Sequence, residues 1–317
     1  MNDGVDSVLI DCPKTPYRLL SAIDFYTQAV QAIAGNTALT LKMGGLLAAE
    51  PSFAQGRWHL DTTLGAFSAK AIVDTRPLST HQMSDTTLWQ SFLGCELEFQ
   101  EPRFDPKSAQ LMDFYQANKT FVGFNYVLPL SATRALVEFT VFASRVYDQA
   151  ELHSYLEDQI AKLAGNRPYQ RLRTEYGLIP MGLSQPENAA KPAEQHLNYV
   201  RVGLTAGAAR PATGYAFQRI QRWALACQQS LHTNGLPTGH QSDSVVIRQM
   251  DAIFLNVLRN HPELGPELFM RLFSKVSSEK LIRFLSDQGR VSDYLAVILA
   301  LPSRLFIKSA YQLVMKP

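Results

Sequence analysis

The stretch GLTAGAARPATGYAFQRIQRWA, residues 203–224, places a glycine-rich loop directly before an amphipathic helix. The residues before it, LNYVRVGL (197–204), alternate apolar and polar side chains, which predicts a strand. After Pro211, apolar residues recur at helical spacing until Asn234-Gly235 supplies a stop. A strand, a glycine-rich loop and a helix start form a natural anion site, because unpaired amides and the positive end of the helix dipole point outward. An ordinary strand-to-helix turn shows the same spacing, so the glycines alone leave both interpretations open.

Length and composition narrow the class of protein. The 317 residues are enough for about two domains, and the net charge of +2, without a basic stretch interleaved with aromatics, argues against a nucleic-acid-binding surface. Cys12, Cys95 and Cys227 are scattered and the histidines show no ligand spacing, so neither disulfides nor a metal site is predicted. The start does not resemble a signal peptide, and the apolar run 294–301 is too short to cross a bilayer. These features indicate a reduced, cytoplasmic protein.

Hydrophobic periodicity predicts a mixed chain of helices and strands. Helices are predicted at 17–34 and at 148–165, the second with Asp148 as its N-cap. A strand is predicted at 37–44, and a hairpin over 57–77 whose second arm ends at Asp74-Thr75-Arg76. The next strand-like runs, mostly separated by hairpin-sized gaps, predict an antiparallel sheet; they are 92–99, 108–115, 121–130 and 134–144. A strand follows at 171–181, and from Ser244 onward the pattern predicts helices only.

Several short runs along the chain share a family pattern. They are AKAIVDTRP (69–77), LWQSFLGCELEF (88–99), LMDFY (111–115), FNYVLPLSATRALVEFT (124–140), RTEYGLIPMG (173–182) and GAARPATGYAF (207–217). Together, and in this order, they resemble the flavin-dependent lycopene cyclase family. The helical tail, from MDAIFLNVL (250–258) to ALPSRLF (300–306), is also similar. The resemblance therefore covers most of the chain, and its PxTGY and LPL…R.LVE.T blocks are specific.

The resemblance implies an α/β fold of mixed α+β character. It consists of a Rossmann-type FAD-binding domain, an inserted antiparallel substrate-binding sheet and a helical C-terminal tail. The expected boundaries are 1–78 for the first part of the FAD domain, 79–180 for the sheet, 181–243 for the return to the FAD domain and 244–317 for the helical region.

The family opens with a strand, a GxGxxG turn and a helix that together hold the pyrophosphate of FAD. This chain has no GxGxxG, and Gly44-Gly45 lacks its spacing. We therefore expect an incomplete FAD domain that lacks the N-terminal βαβ unit, either as a fragment or through a shortened gene. Without that segment we expect the chain to be inactive on its own.

The resemblance assigns the opening loop to the flavin. The residues placed along it are Gly203, Gly207, Pro211, Ala212, Thr213, Gly214 and Tyr215. Leu204 stands where many relatives of the wider class carry an acidic residue that bonds the flavin side chain. Asp74 and Arg76 end a strand near the expected cofactor edge, although a turn ion pair explains them equally well. The implied cofactor is reduced FAD, with NAD(P)H as the external reductant.

The family's reaction closes the linear ends of lycopene into β-ionone rings. A proton is added to a terminal double bond, the carbocation closes on a neighbouring double bond, and a proton is lost. No net electrons move, so the resemblance implies a non-redox role for FAD, whose reduced anion stabilises the cation. Glu138 matches the family's acid, and an apolar pocket would raise its pKa and keep it protonated near neutral pH. The alternative is a surface carboxylate paired with Arg134, on the same face of the strand.

Two further acids and several aromatic residues are candidates for the site. Asp113 and Glu175 match family motifs, and each either tunes the site, deprotonates the cation or serves as a structural hydrogen-bonding group. Phe139 stands where relatives carry a second acid, but adjacent strand residues point to opposite faces, so Glu138 is unaffected. The candidates for a cation-tolerant aromatic channel, which core packing explains as well, are Trp89, Phe121, Phe124 and Tyr126.

The implied substrate is lycopene or a related linear carotene, and the implied location is the cytoplasmic face of the membrane. An apolar side of the tail, Leu268 to Phe284, has basic residues interspersed and predicts surface attachment to anionic bilayers. A helical cap packed on its own protein would show the same pattern. The rival functions are a flavin-dependent reductase or monooxygenase acting on an isoprenoid or aromatic substrate, and an inactive remnant that only binds lipid.

Overall fold

The computed structural model describes residues 1–83, 85–183 and 196–315. A five-stranded sheet forms its centre, with the antiparallel strand order β6-β7-β8-β5-β9. The strands are β5 (Leu88–Phe99), β6 (Gln110–Phe114), β7 (Phe121–Pro129), β8 (Arg134–Ala143) and β9 (Tyr169–Met181). The predicted mixed α/β class and the predicted antiparallel sheet are therefore confirmed.

Helix α2 (Gln149–Ala164) covers one face of this sheet. It begins at Asp148, whose side chain accepts a hydrogen bond from the Glu151 amide while the Glu151 side chain bonds back, and it ends at Gly165. Both ends match the prediction. Leu152, Leu156 and Ile160 of the helix pack against buried side chains of β5, β7 and β8. Because side chains alternate along each strand, the residues between these core positions point to the opposite face.

The parts of the chain on either side of the sheet meet in a parallel pair of short strands, β4 (Ile72–Asp74) and β10 (Tyr199–Arg201). Before them, β1 (Ser52–Ala54), β2 (Arg57–Thr62) and β3 (Gly65–Ala69) form an antiparallel sheet. The predicted hairpin is therefore wrong in its second arm. That arm ends at Ala69, and Ile72–Asp74 is a separate strand because its partner is β10.

The N-terminal region departs from prediction at two places. Helix α1 (Ala22–Ala34) begins five residues later than expected, because the Ser21 side chain accepts the Asp24 amide and caps it there. The strand predicted at 37–44 is absent, since this segment pairs with no other strand of the described chain. An alternating pattern of apolar and polar residues therefore does not produce a strand where no neighbouring strand supplies hydrogen bonds.

The C-terminal part is helical, as predicted. Helix α3 (Phe217–Asn234) ends at Gly235, which adopts the left-handed conformation, and Ser244 caps the next helix. The helices that follow are α4 (Val245–Asn260), α5 (Gly265–Lys275), α6 (Ser278–Leu285), α7 (Val291–Ala300) and α8 (Ser303–Val314).

These helices correct the predicted membrane-facing side of the tail. Leu268 packs in one core with Phe124 and Phe142 of the sheet, and Leu272 and Leu281 are buried in a second core between the helices. The apolar stripe read from the sequence is thus the inner face of a helical layer that covers its own sheet. Within the described residues, no helix has the length and apolar character needed to cross a membrane.

Candidate functional site

A row of four residues crosses the antiparallel sheet on the face turned away from α2. Tyr126 pairs with Glu138, Glu138 with Gly94, and Gly94 with Glu175. Directly paired residues in antiparallel strands project from the same face. Phe139, the neighbour of Glu138, stacks on Tyr155 of α2 with ring centroids 4.7 Å apart, so Glu138 points to the other side. The pairing of β8 with β5 runs unshifted from Arg134 to Ala143, and no bulge disturbs this alternation.

The surroundings of Glu138 raise the proton affinity of its carboxyl group. Its Oε1 accepts a hydrogen bond of 2.7 Å from the Thr140 hydroxyl. Burial raises the pKa of Glu138 to about 7 against the lowering effect of Thr140, and the nearby charge of Glu175 raises it further. Arg134, the ion-pair partner considered from the sequence, bonds to Glu96 instead. The environment of Glu138 thus favours a protonated side chain near neutral pH, which a general acid requires.

A gap separates Glu138 from Glu175, because Gly94 carries no side chain between them. A Cβ atom at Gly94 would lie 3.6 Å from the Glu138 Cβ and 3.2 Å from the Glu175 Cγ. Glu175 forms an ion pair with Arg173, two residues along the same strand. The two side chains therefore flank Gly94 from opposite sides, and among the described residues only Glu175 has a paired cation.

Aromatic residues from three parts of the chain lie on the Glu138 side of the sheet, and Phe124 among them is fully buried in the core with Leu255 and Leu268. The Phe124 and Tyr126 rings meet edge to face at 5.3 Å on the same sheet face. Burial raises the pKa of Tyr126 well above its usual value, and the charges of Tyr215 and Glu138 add to this effect. Burial also raises the pKa of Tyr215 to about 12, and the residue as a whole is 54% exposed. Burial raises the pKa of Tyr17 too, and the charge of Glu138 contributes.

The glycine-rich loop reaches this face of the sheet. Gly203, Gly207 and Gly214 all have positive φ angles, which other residues adopt at a cost. A Cβ at Gly214 would lie 3.0 Å from Ile179 and 3.3 Å from the Gln90 Oε1. That oxygen is buried and has no hydrogen-bond partner among the described residues. Among the residues that the structure describes, no side chain caps the start of α3, which leaves its first amides available to a polar group.

The sequence model of the family described as lycopene cyclase protein matches residues 16–311. The chain belongs to the lycopene cyclase family. A lycopene beta-cyclase from Paracoccus sp. (strain N81106 / MBIC 01143) is 31% identical over 184 residues, which cover 52% of this chain and 45% of that relative. The family assignment made from short motifs is thereby confirmed. The match spans less than half the length of the Paracoccus enzyme.

A solved structure shares the fold of this chain with little sequence likeness. A geranylgeranyl bacteriochlorophyll reductase-like protein from Thermoplasma acidophilum gives a TM-score of 0.50 at 15% identity, over 90% of this chain and 73% of that one. The flavin-dependent monooxygenase PieE, solved with FAD and substrate, gives 0.48 at 12% identity, over 92% of this chain and 52% of that one. At such identities the likeness concerns the fold alone.

In this member of the lycopene cyclase family, three predicted site residues lie on the wrong face of the sheet. Asp113 pairs with Asn125, which pairs with Phe139, so all three face α2. Phe121 also faces α2, where its ring meets Tyr155 with centroids 5.8 Å apart, and Trp89 stands in the same row of the sheet. The predictions that Asp113 acts on the cation and that Phe121 and Trp89 line its channel are therefore corrected. Phe124, Tyr126 and Glu175 do lie on the face of Glu138.

The loop of this lycopene cyclase family member is anchored by a buried arginine. Both Arg210 and Asp251 are buried, and the guanidinium bonds to both Asp251 oxygens at 3.2 Å. Arg210 also bonds to the Phe284 carbonyl and lies over the Phe284 ring. The Ala212 amide donates to Asp251 at 3.4 Å. These contacts fasten residues 210–212 to helices α4 and α6 and fix where Tyr215 is presented.

Asp74 and Arg76 form the ion pair that the sequence offered as the alternative. Arg76 Nη2 lies 2.7 Å from Asp74 Oδ2, which also accepts the Tyr199 hydroxyl at 2.6 Å. Burial alone would raise the pKa of Asp74. Hydrogen bonds from Arg76 and Tyr199 outweigh this effect and hold the pKa of Asp74 well below its usual range. A cavity of about 250 Å³ lies beyond these strand ends, lined by Thr75 and Leu78 on one side and Thr205 on the other. A direct contact of Asp74 or Arg76 with a cofactor stays a prediction.

Three residues of this site, Asp251, Gly94 and Tyr17, were not predicted from the sequence. Asp251 carried a usable signal, since it shares an apolar helical face with Ile247 and Leu255, and a carboxylate there needs a buried cation. Gly94 and Tyr17 carried none, because their roles depend on strand register and on contacts between distant parts of the chain. Among the described residues, no group of three or more histidine, cysteine or acidic side chains could hold a metal ion.

Proposed function

We propose that this protein cyclises the linear ends of lycopene, or of a related linear carotene, to β-ionone rings in an FAD-dependent reaction without net redox change. The observation that supports this most directly is Glu138, a carboxyl group with a pKa of about 7 on the sheet face that Tyr126 shares and that the glycine-rich loop reaches. A general acid works best when its pKa lies near the operating pH. Family membership and the name of the Paracoccus relative supply the substrate class.

The first step is protonation of the terminal double bond by the Glu138 carboxyl. The electron pair of that bond takes the proton, and a tertiary carbocation remains on the chain end. The neighbouring double bond then closes on the cation and forms the ring carbon–carbon bond. The face of the Tyr126 ring carries partial negative charge and stabilises the cation without reacting with it.

The last step returns a proton from the ring to the protein. We assign this role to Glu175, because Arg173 keeps a positive charge beside it and the Gly94 gap lets it face the same space as Glu138. The proton gained by Glu175 balances the proton lost by Glu138, and exchange with solvent restores both. No reductant is consumed in this sequence of steps.

The residues of the loop fit a flavin. The positive φ angles of Gly203, Gly207 and Gly214, the uncapped start of α3 and the unpartnered Gln90 oxygen together offer a close backbone approach and free polar groups. The segment from Gly203 to Tyr215 would hold the cofactor. Bound reduced FAD would supply negative charge near the developing carbocation.

Product analysis tests this function against the reductase and monooxygenase alternatives. Flavin-loaded protein is incubated with lycopene and NAD(P)H, and the products are separated by chromatography. Cyclisation predicts products isomeric with lycopene and a reductant consumption far below the product formed. A product that differs from lycopene by two hydrogens or by an oxygen atom, with matched reductant consumption, would contradict the proposal.

A further inference from the structure

Helix α8 has apolar side chains on two sides. Leu305 and Phe306 pack against the core formed with the sheet. Ile307, Tyr311 and Val314 recur at helical spacing on another side and are exposed, Ile307 to 69%. The polar Ser309, by contrast, is buried, where its hydroxyl accepts the Asn256 side-chain amide at 2.8 Å. A helix at the protein surface normally buries its apolar side chains and exposes its polar ones. The exposed apolar side of α8 therefore lacks an apolar partner within the described part of the chain.

The preceding helix also carries exposed apolar side chains. On α7, Leu295, Ile298 and Leu299 are exposed, Leu299 to 81%, while Val297 and Ala300 are buried on the inner side. The two helices are joined by the short connection Leu301–Pro302. We call the exposed apolar side chains of α7 and α8 the outer face; they are Leu295, Ile298, Leu299, Ile307, Tyr311 and Val314.

The solvent-accessible charged side chains of α7 and α8 are all positive. Between Val291 and Val314 the sole acidic residue is Asp293, which is fully buried and bonded to Arg283 at 2.8 Å. The basic residues of the same segment, Arg304 and Lys308, are exposed beside Ile307. The accessible charge on α7 and α8 is therefore positive.

We propose that the outer face of α7 and α8 is the surface by which this protein lies on an anionic lipid bilayer. Apolar side chains entering the acyl boundary with basic neighbours at the headgroups match the chemistry of such a surface. A second copy fits less well, because a twofold contact through this face would bring Arg304 and Lys308 of both copies together. The proposal rests on the proposed function in one respect, since a carotene substrate is dissolved in lipid.

Vesicle flotation tests this surface without substrate or flavin. The 317-residue protein is mixed at low salt with vesicles of phosphatidylcholine alone, or with about a third phosphatidylglycerol. The test variant is the double substitution Leu299→Ser and Ile307→Ser. The matched control is Leu225→Ser and Ile23→Ser, which changes equally exposed residues (68% and 75%) on α3 and α1. Thermal unfolding confirms that both variants keep the fold.

We expect the wild type and the control to float with anionic vesicles, and the test variant to bind about tenfold or more weakly. Replacement of Arg304 and Lys308 by Gln should weaken binding about thirtyfold, as expected for two charges near an anionic surface. The lipid assignment is overturned if the wild type fails to bind, if test and control variants behave alike, or if the test substitutions dissociate a dimer instead. A protein that floats normally but leaves lycopene unchanged, even when flavin and the N-terminal FAD-binding segment of the family are supplied, contradicts the proposed function alone.

Discussion

Glu138 derives its proposed role from its surroundings rather than from its residue type. Its burial and the charge of Glu175 raise its pKa, so the protonated form persists to about pH 7. The protonation step should therefore run at its full rate below this pKa and slow as the pH rises through it, because the acid then loses its proton. The hydrogen bond from Thr140 opposes the rise and limits its size.

The first prediction concerns the carboxyl group itself. Glu138→Gln keeps the shape of the side chain and removes its acidity, so the flavin-loaded variant should fold normally and cyclise about a hundredfold or more slowly. Glu98→Gln, an exposed position on β5 of the same sheet, is the control and should leave the rate unchanged. Cyclisation by Glu138→Gln at close to the wild-type rate would refute the assignment.

The second prediction uses the coupling between the two carboxyl groups. Glu175→Gln removes a negative charge that raises the pKa of Glu138, so the fall in activity with pH should move to lower pH. The maximal rate should fall as well if Glu175 accepts the ring proton. The exposed Glu101→Gln is the control for pH profiles. An unmoved pH profile in Glu175→Gln would show that the two groups do not interact.

At the scale of the strand, β5 contributes Gly94, which leaves space between Glu138 and Glu175. A methyl group there would lie 3.2 Å from Glu175 and 3.4 Å from Leu136, both flexible side chains, so the sheet should tolerate it. We predict that Gly94→Ala folds but loses much of its cyclisation rate, because the gap between the carboxyl groups is filled. Gly239→Ala, which meets no atom within 4 Å, is the control. Circular dichroism checks that the variant folds, and chromatography of the products measures its cyclisation rate. A Gly94→Ala enzyme with an unchanged rate would contradict the prediction.

The loop depends on α4 for its position. Asp251→Asn leaves the buried Arg210 without its full partner, and breaking one half of a buried ion pair costs about 3–5 kcal/mol. We therefore expect a large loss of stability in urea unfolding. Glu279→Gln removes the exposed pair with Lys14, which solvent screens, and should leave the stability close to that of the wild type. Equal effects of the two substitutions would mean that Arg210 is not anchored as described.

The elements differ in how far the sequence predicts them. Local signals sufficed for the strands from Leu88 to Ala143 and for the capped helix α2, because caps and alternation act over a few residues. Alternation also placed Glu138 opposite Phe139. It could not show which face of β5 and β7 meets α2, and so Trp89 and Phe121 were assigned to the wrong side. The apolar stripe from Leu268 to Phe284 was real, but its partner is the protein's own core.

At the scale of the whole molecule, the site exists only through long-range contacts. Tyr17, Glu138 and Tyr215 come from an N-terminal segment, the sheet and the loop, and each affects the titration of another. Sequence patterns are local and carry no such information, although the family motifs marked Glu138 and the loop separately. The fold places the acid and Tyr126 on one face of the sheet, which the loop also reaches, as the proposed protonation-driven cyclisation needs.

A turnover experiment in heavy water tests the central claim most directly. Flavin-loaded protein converts lycopene in D₂O with a reductant that carries ordinary hydrogen, and mass spectrometry counts the deuterium in the product. If Glu138 delivers a solvent-exchangeable proton, each new ring should contain one deuterium and the reductant should be conserved. Rings free of deuterium, or hydrogen transferred from the reductant in proportion to product, would contradict the account.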